Sequence, residues 1–356
     1  MALLMTSHSF TNAHALIIGI ANYAHARKLS EAVIRDAQDL AALLQSPARC
    51  GFDPRKVQLL LEGAATREAI VAALDQLAGK ASDEDMVCIY FSGHGWRASD
   101  NDESYLLPVD GRRDALETSA IAAALLSECL NRIKVRRLLV LLDACHAGGA
   151  GTIKDAYGSD EEERTMSEPA LELLAQGSGR AIIASSKVNE TSLILPGARN
   201  SAFTTVLLNG LDGAADFQGS GIVKLFGLYE YIAEKLPDLT NGRQHPVLRT
   251  KIETNYAIAL CRNRSAEDDH SPSPLWRARL QSLLPILYPA GPTDRDIWER
   301  AGGDLAELTF GKTGRSMWFE ALKLLENGGG GDIHIGKLIA EALKDHPRNT
   351  PLLSLT

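Results

Sequence analysis

The chain has 356 residues, 45% hydrophobic and 23% charged, with a formal net charge of −8. That length allows one α/β domain and a smaller companion, and an acidic balance spread along the chain leaves no nucleic-acid footprint. No apolar run reaches membrane-spanning length, and Met1–Phe10 lacks the basic residues and apolar stretch of a secretion signal.

His14 to Ile20 reads as a first core strand, followed by an amphipathic helix from Glu31 to Leu44 with Val33, Ala37, Leu40 and Leu44 on one face. Lys56 to Leu61 is a second strand, and Thr66 caps a helix through Leu77. The apolar run after Asp85 is a third strand that ends in Ser92-Gly93-His94-Gly95. Tyr105 to Asp110 is a short extended piece, and 118–131 is helical. Leu138 to Leu142 is a fourth strand, buried on both faces as in a parallel sheet, and it stops at Asp143-Ala144-Cys145-His146-Ala147-Gly148-Gly149. Residues 150–179 break the pattern, being glycine-rich and then acidic at Asp160 to Glu163, as a long functional or solvated loop would be. Arg180 to Ser186 is a fifth strand. Helices follow at Ser201 to Leu208 and Leu225 to Leu236, and Gln244-His245-Pro246-Val247 leads into a last strand. Strands alternating with helices at this spacing mean crossover units and a mostly parallel α/β sheet flanked by helices.

Residues 263–274 form a polar linker. It separates a first domain, 1–262, from a second, 275–356. Beyond it, Trp276, Leu280, Leu283, Leu284 and Leu287 fall at helical spacing, as do Trp318, Ala321 and Leu325, and then Ile335, Leu338, Ile339 and Ala342. This is a small all-α bundle whose tryptophans, Trp298 included, are most simply its core.

Two strand ends carry chemistry. Strands that end in small-residue turns present their last side chains at the carboxyl edge, where open α/β sheets bind ligands. Cys145 and His94 each stand on such a turn, and parallel strands place both at one edge. A thiol is a weak nucleophile until an imidazole deprotonates it or pairs with it. Cys145 is thus the candidate nucleophile and His94 its acid/base. The backbone N–H groups of Gly95 and Cys145 are the candidate oxyanion donors, because glycine turns let backbone approach a ligand. No third member of a triad stands out. The other four cysteines (Cys50, Cys88, Cys129 and Cys261) are scattered. That points to a reducing compartment, the cytoplasm, with no disulfide framework and no cysteine metal site.

Ser92-Gly93-His94-Gly95 and Asp143-Ala144-Cys145-His146-Ala147-Gly148, about 50 residues apart, resemble the paired motifs of caspase-like cysteine peptidases. The Asp two residues before the Cys resembles metacaspases and their bacterial relatives. The resemblance covers roughly 12–260. It implies peptide hydrolysis by a Cys–His dyad and a protein or peptide substrate. It also implies that 150–179 is a linker between a large and a small segment, cut during activation in some relatives. With cleavage after basic residues, Lys154 and Arg164 are the candidate self-cleavage points.

Asp143 lies two residues before Cys145, so on an extended strand it shares its face, and its carboxylate can pair with a Lys or Arg preceding the scissile bond. The other reading of Asp143 is a strand-end carboxylate capping backbone N–H groups. Asp36, in Arg35-Asp36-Ala37, matches the second pocket aspartate of metacaspases; alone, it also reads as a solvated helix residue. Two carboxylates suit a guanidinium fork, so Arg is expected over Lys. Ser185 and Ser186 either line the substrate groove or end their strand as solvated hydroxyls. Some metacaspases need Ca²⁺, and Asp100, Asp102, Glu103 and Asp110 supply oxygens. The segment is short for such a site, and the expectation is no metal and no cofactor.

The tail resembles the effector-associated, death-domain-like adaptors of bacterial conflict systems at Leu287-Tyr288-Pro289, Asp294 to Gly302, Trp318 and the final helix to Asn349. That resemblance implies an adaptor partner and a defence or cell-death role in a bacterium; the alternative is a structural appendage. For the whole chain, the alternatives to an Arg/Lys-specific endopeptidase are a silent or tightly gated signalling scaffold and a peptidase with one narrow native substrate.

Overall fold

The computed structural model describes residues 10, 12–47, 49–98, 103–144, 166–260, 274–309, 311, 313–326 and 329–353. They fall into two compact units, Met1–Arg262 and Asn263–Thr356.

The first unit is built on a six-stranded sheet, labelled in chain order β1 (Ala13–Gly19), β2 (Val57–Leu61), β3 (Met86–Gly93), β4 (Arg137–Ala144), β5 (Arg180–Ala184) and β6 (Val247–Lys251). The spatial order is β6-β5-β4-β3-β1-β2. β1 to β5 are parallel, and β6 closes one edge antiparallel to β5. Every residue of β1 and β3 is buried. That explains their unbroken apolar runs: helices cover both faces, so neither set of alternating side chains meets water.

The longer helices are α1 (Ala32–Gln45), α2 (Arg67–Lys80), α3 (Ala123–Arg132), α4 (Glu168–Ala175), α5 (Ala202–Asn209) and α6 (Leu225–Thr240). One sheet face carries Leu16, Ile18, Val87, Ile89, Phe91, Val140 and Ile182 and packs on α2, α3 and α4 through Leu74, Leu130 and Leu171. α1 packs on β1 and β3 and against α5, which in turn meets α6.

The structure departs from the expectations in four places. The single helix expected over 118–131 is split. Ala120 is extended, Ile121 and Ala122 pair with Leu106 and Tyr105, and α3 begins only at Ala123. That strand joins Gly95–Arg97 and Ser104–Leu106 in a small antiparallel sheet. The segment read as one long loop over 150–179 contains α4. The Ser167 hydroxyl caps it by accepting the Ala170 N–H, and Leu171 and Leu174 bury its short apolar face. α6 runs past Pro237 to Thr240 and stops at Asn241 in the left-handed region. Ile222–Lys224 pairs with Ala257–Leu260, a contact between two short strands that no local pattern announces.

The second unit has three longer helices, α7 (Pro274–Leu287), α8 (Gly314–Glu326) and α9 (Ile335–Asp345). Trp298 and Trp318 are fully buried among Leu280, Leu284, Tyr288, Leu338 and Ile339. Trp318 Nε1 donates to the Tyr288 carbonyl at 3.0 Å, so a buried indole meets its hydrogen-bonding need inside an apolar core. The side chain of Trp276 lies outside the described residues.

Candidate active site

Parallel pairing brings the chemistry-bearing ends of β1, β3 and β4 to one edge. Gly19 lies beside Ser92, and Ser92 beside Asp143. The β3–β4 register closes at Gly93–Ala144, one residue before His94 and one before Cys145. Cys145, Lys154 and Arg164 lie outside the described residues.

His94 is buried, with 1% of its surface exposed, and it is held on three sides. Its Nε2 lies 2.7 Å from the carbonyl oxygen of Arg27. A carbonyl only accepts, so Nε2 carries the hydrogen and Nδ1 is left as the basic atom. Its backbone N–H donates to the Tyr23 hydroxyl at 2.7 Å. Its ring packs on the Tyr23 ring at 4.6 Å between centroids. Both partners stand in the loop after β1. Gly93 makes the arrangement possible, since a Cβ there would lie 2.4 Å from the Tyr23 hydroxyl.

Gly95 opens the small antiparallel sheet opposite Leu106. The flanking bond runs from the Leu107 N–H to the His94 carbonyl at 3.0 Å. In that register Gly95 and Leu106 form a non-hydrogen-bonded pair, so the Gly95 N–H is directed away from the neighbouring strand.

Asp36 and Asp143 are both fully buried and are joined through one residue. The Ser201 N–H donates to Asp36 Oδ1 at 3.0 Å, and the Ser201 hydroxyl donates to Asp143 Oδ2 at 2.7 Å. The Ser192 hydroxyl donates to Asp143 Oδ1 at 2.5 Å. Ser201 also caps α5 by accepting the Thr204 N–H at 3.1 Å, so the positive end of that helix faces the two acids. Burial, and then the charge of Asp143, push the Asp36 carboxyl well above the usual range, partly offset by donors from Ser201 and Asn200. The solvated-helix reading of Asp36 is therefore wrong. It lies on the α1 face that carries Val33, Ala37, Leu40 and Leu44, all buried.

Ser185 and Ser186 follow β5 and are each 1% exposed, with neither hydroxyl hydrogen-bonded; the reading of solvated strand-end hydroxyls does not hold. Their segment is fixed by Gln244. Its Nε2 donates to the Ser185 carbonyl at 2.9 Å and to Ser192 Oγ at 3.3 Å, while its Oε1 accepts the Leu193 N–H at 3.0 Å. Of the acidic residues after His94, Asp100 and Asp102 lie outside the described residues, and Asp110 accepts the Arg67 N–H at 3.0 Å. Among the described residues no three His, Cys, Asp or Glu side chains gather to hold a metal. Cys50, Cys88 and Cys129 are buried, and burial pushes Cys88 up to about 12, which leaves it inert.

A family model described as the caspase domain, peptidase C14, matches residues 12–256. The chain belongs to that family. A second family model, effector-associated domain 1, matches 271–355. Similar proteins include Metacaspase-1 of Schizosaccharomyces pombe, 26% identical over 180 residues, 46% of this chain and 41% of the relative. Metacaspase-1 of Yarrowia lipolytica is 27% identical over 176 residues, 44% of this chain and 35% of the relative. Metacaspase-1B of Aspergillus terreus is 26% identical over 183 residues, 45% and 46% of the two chains. The match thus spans less than half the length of these curated relatives. A crystal structure of a protein from Geobacter sulfurreducens superposes with a TM-score of 0.48 at 23% identity, covering 68% of this chain and 94% of that one.

In this caspase domain, then, the structure gathers His94, Gly95, Asp143, Asp36, Ser185 and Ser186 onto the carboxyl edge of the sheet and its flanking segments. The sequence reading missed Tyr23, the Arg27 carbonyl, Ser192, Ser201 and Gln244. Only Ser201 carried a local signal: a Ser immediately before an apolar helical run is a capping residue.

Proposed function

We propose that the chain is a cysteine endopeptidase that cleaves after Arg, and less well after Lys. The observation that carries this is the buried Asp36–Asp143 pair at the strand edge that also holds His94. In the proposed cycle the Cys145 thiol gives its proton to His94 Nδ1, and the thiolate attacks the scissile carbonyl carbon. The oxyanion that forms takes the Gly95 and Cys145 N–H groups. Collapse breaks the C–N bond as His94 protonates the leaving amine. Water, deprotonated by His94, then cleaves the thioester and restores the thiol. The Arg27 carbonyl stabilises the imidazolium formed in each half-cycle and fixes its tautomer. The acid pair selects the side chain before the scissile bond, and two carboxylates suit the planar fork of a guanidinium better than an ammonium.

The effector-associated domain suits protein recruitment, so the tail is proposed to bring the peptidase to a partner in bacterial defence or cell-death signalling. Self-cleavage at Lys154 or Arg164 belongs to the same proposal, as do a cytoplasmic location and activity without a metal. The complete burial of both acids favours a second reading beside the first: a pocket gated until its covering segments move. The test is hydrolysis of matched fluorogenic peptides ending in Arg, Lys or Asp, by wild type, Cys145→Ala and Asp143→Ala, with Ca²⁺ or chelator. Arg turnover lost in both variants supports the proposal. Asp turnover overturns the specificity, and no turnover on any peptide shifts weight to the gated reading.

A further inference from the structure

The two pocket acids are held differently. Asp143 receives a hydroxyl hydrogen on each oxygen, from Ser192 and Ser201, as an ionised carboxylate requires. Asp36 receives the Ser201 N–H on Oδ1, while its Oδ2 is buried with no donor. Asn200 Oδ1 is a further buried acceptor with no donor, on a side chain whose Nδ2 donates to Asp39 Oδ2 at 3.0 Å. A buried carboxylate oxygen with no donor, beside a second acid in a dry site, is costly, and one hydrogen on Asp36 relieves that cost: it removes the charge and turns Oδ2 from an orphaned acceptor into a donor.

The groups acting on Asp36 come from three directions. Asp143 on β4 and the Tyr90 phenol on β3 face it, and Asn200 and Ser201 approach from the start of α5. On its own helix, Arg35 pairs with Glu31 and with the Arg199 carbonyl, and Asp39 pairs with Arg199.

We propose that the pocket takes up a basic side chain by proton exchange at Asp36. The incoming guanidinium or ammonium displaces the Asp36 proton to solvent and docks between the newly ionised Asp36 and the already ionised Asp143. Asp143 is the fixed charge, positioned by Ser192, Ser201 and, through Ser192, by Gln244. Asp36 is the specificity-determining residue whose charge appears only when a cation arrives. A neutral side chain does not bring the charge that drives the proton off, so it gains nothing from the exchange. This inference rests on the basic-residue specificity proposed above.

The experiment is calorimetric titration of full-length Cys145→Ala protein with agmatine, the amine analogue of an arginine side chain. It is run in two buffers of different ionisation enthalpy at several points from about pH 5 to pH 8. The expected result is a buffer-dependent enthalpy equal to about one proton released per agmatine at the acidic end, falling as pH rises. Adding Asp36→Asn should abolish the release and make the remaining affinity independent of pH. Binding with the same enthalpy in both buffers at every pH overturns proton exchange while leaving the basic pocket standing. So does proton release that persists in the Asp36→Asn protein. No agmatine binding at all overturns the basic-pocket reading and this inference with it.

Discussion

The His94 imidazole spends its Nε2 hydrogen on a backbone carbonyl, that of Arg27, 2.7 Å away, rather than on a carboxylate. The orienting group of the site is therefore main chain, and the side chain that supports it is Tyr23, which accepts the His94 N–H and packs against its ring. Tyr23→Phe keeps the ring contact and leaves a buried N–H without its acceptor, a loss of about 1–3 kcal/mol. The expected outcome is a fall in kcat of about tenfold with KM little changed. Arg27→Ala keeps the carbonyl, so the pH profile of kcat should be unchanged. Steady-state kinetics on an Arg peptide across pH check both.

Gly93 is required by this packing. Any Cβ there would press on the Tyr23 hydroxyl at 2.4 Å and on the Phe91 ring at 3.2 Å. Gly93→Ala should fold, since the tyrosine can swing aside, but it should displace Tyr23 from His94. A misplacement of this size is expected to lower kcat by about a hundredfold. Circular dichroism with kinetics on the same preparation checks it, and full activity in a folded variant would refute the packing argument.

The strands and the edge they define are legible in the sequence because β1, β3 and β4 are buried on both faces and end abruptly at Gly19, Gly93 and Ala144. His94 and Asp143 stand at those ends, so motif and periodicity find them together. Asp36 was half legible. Its position between Val33, Ala37 and Leu40 already puts it on the inward stripe of α1, and the burial of that stripe was the clue the solvated reading passed over. Ser192 and Gln244 were not legible, since they meet Asp143 and Ser185 across 49 and 59 residues of chain. No local pattern encodes such pairings. α4 was missed because its buried face is only Ala170, Leu171, Leu174 and Ala175, too short to announce a period beside an acidic stretch.

Burial gives Asp36 a stability signature of its own. Its folded-state pKa is raised, by burial first and Asp143 second. Below the unfolded value of about 3.9 both states hold the proton, and Asp36 costs nothing. As pH rises past that value the unfolded chain loses its proton while the folded one keeps it, so wild-type stability falls until the folded pKa is passed. Asp36→Asn retains an acceptor for the Ser201 N–H and cannot ionise. Its Tm should therefore sit increasingly above that of wild type as pH climbs above about 4, the lead growing until the folded-state pKa is passed. Thermal unfolding across that range checks the sign; a lead that shrinks with rising pH would mean that Asp36 is stabilised as a carboxylate.

In the second unit the decisive side chain is Trp318, fully buried, in contact with the Tyr288 ring at 6.2 Å between centroids and donating to the Tyr288 carbonyl. Trp318→Ala leaves a cavity at the centre of a small helical core, a loss of about 3–5 kcal/mol. A bundle of this size has little more than that to lose. Trp318→Phe keeps most of the bulk and removes only the indole hydrogen bond, since the Tyr288 carbonyl still accepts the Gly291 N–H at 3.0 Å, a loss of about 0.5–1.5 kcal/mol. Limited proteolysis followed by mass mapping should therefore show rapid cutting within 274–353 in the alanine variant and slower cutting in the phenylalanine variant. If the two variants are cut at equal rates, lost volume is not what the core depends on, and the indole hydrogen bond takes its place as the controlling contact.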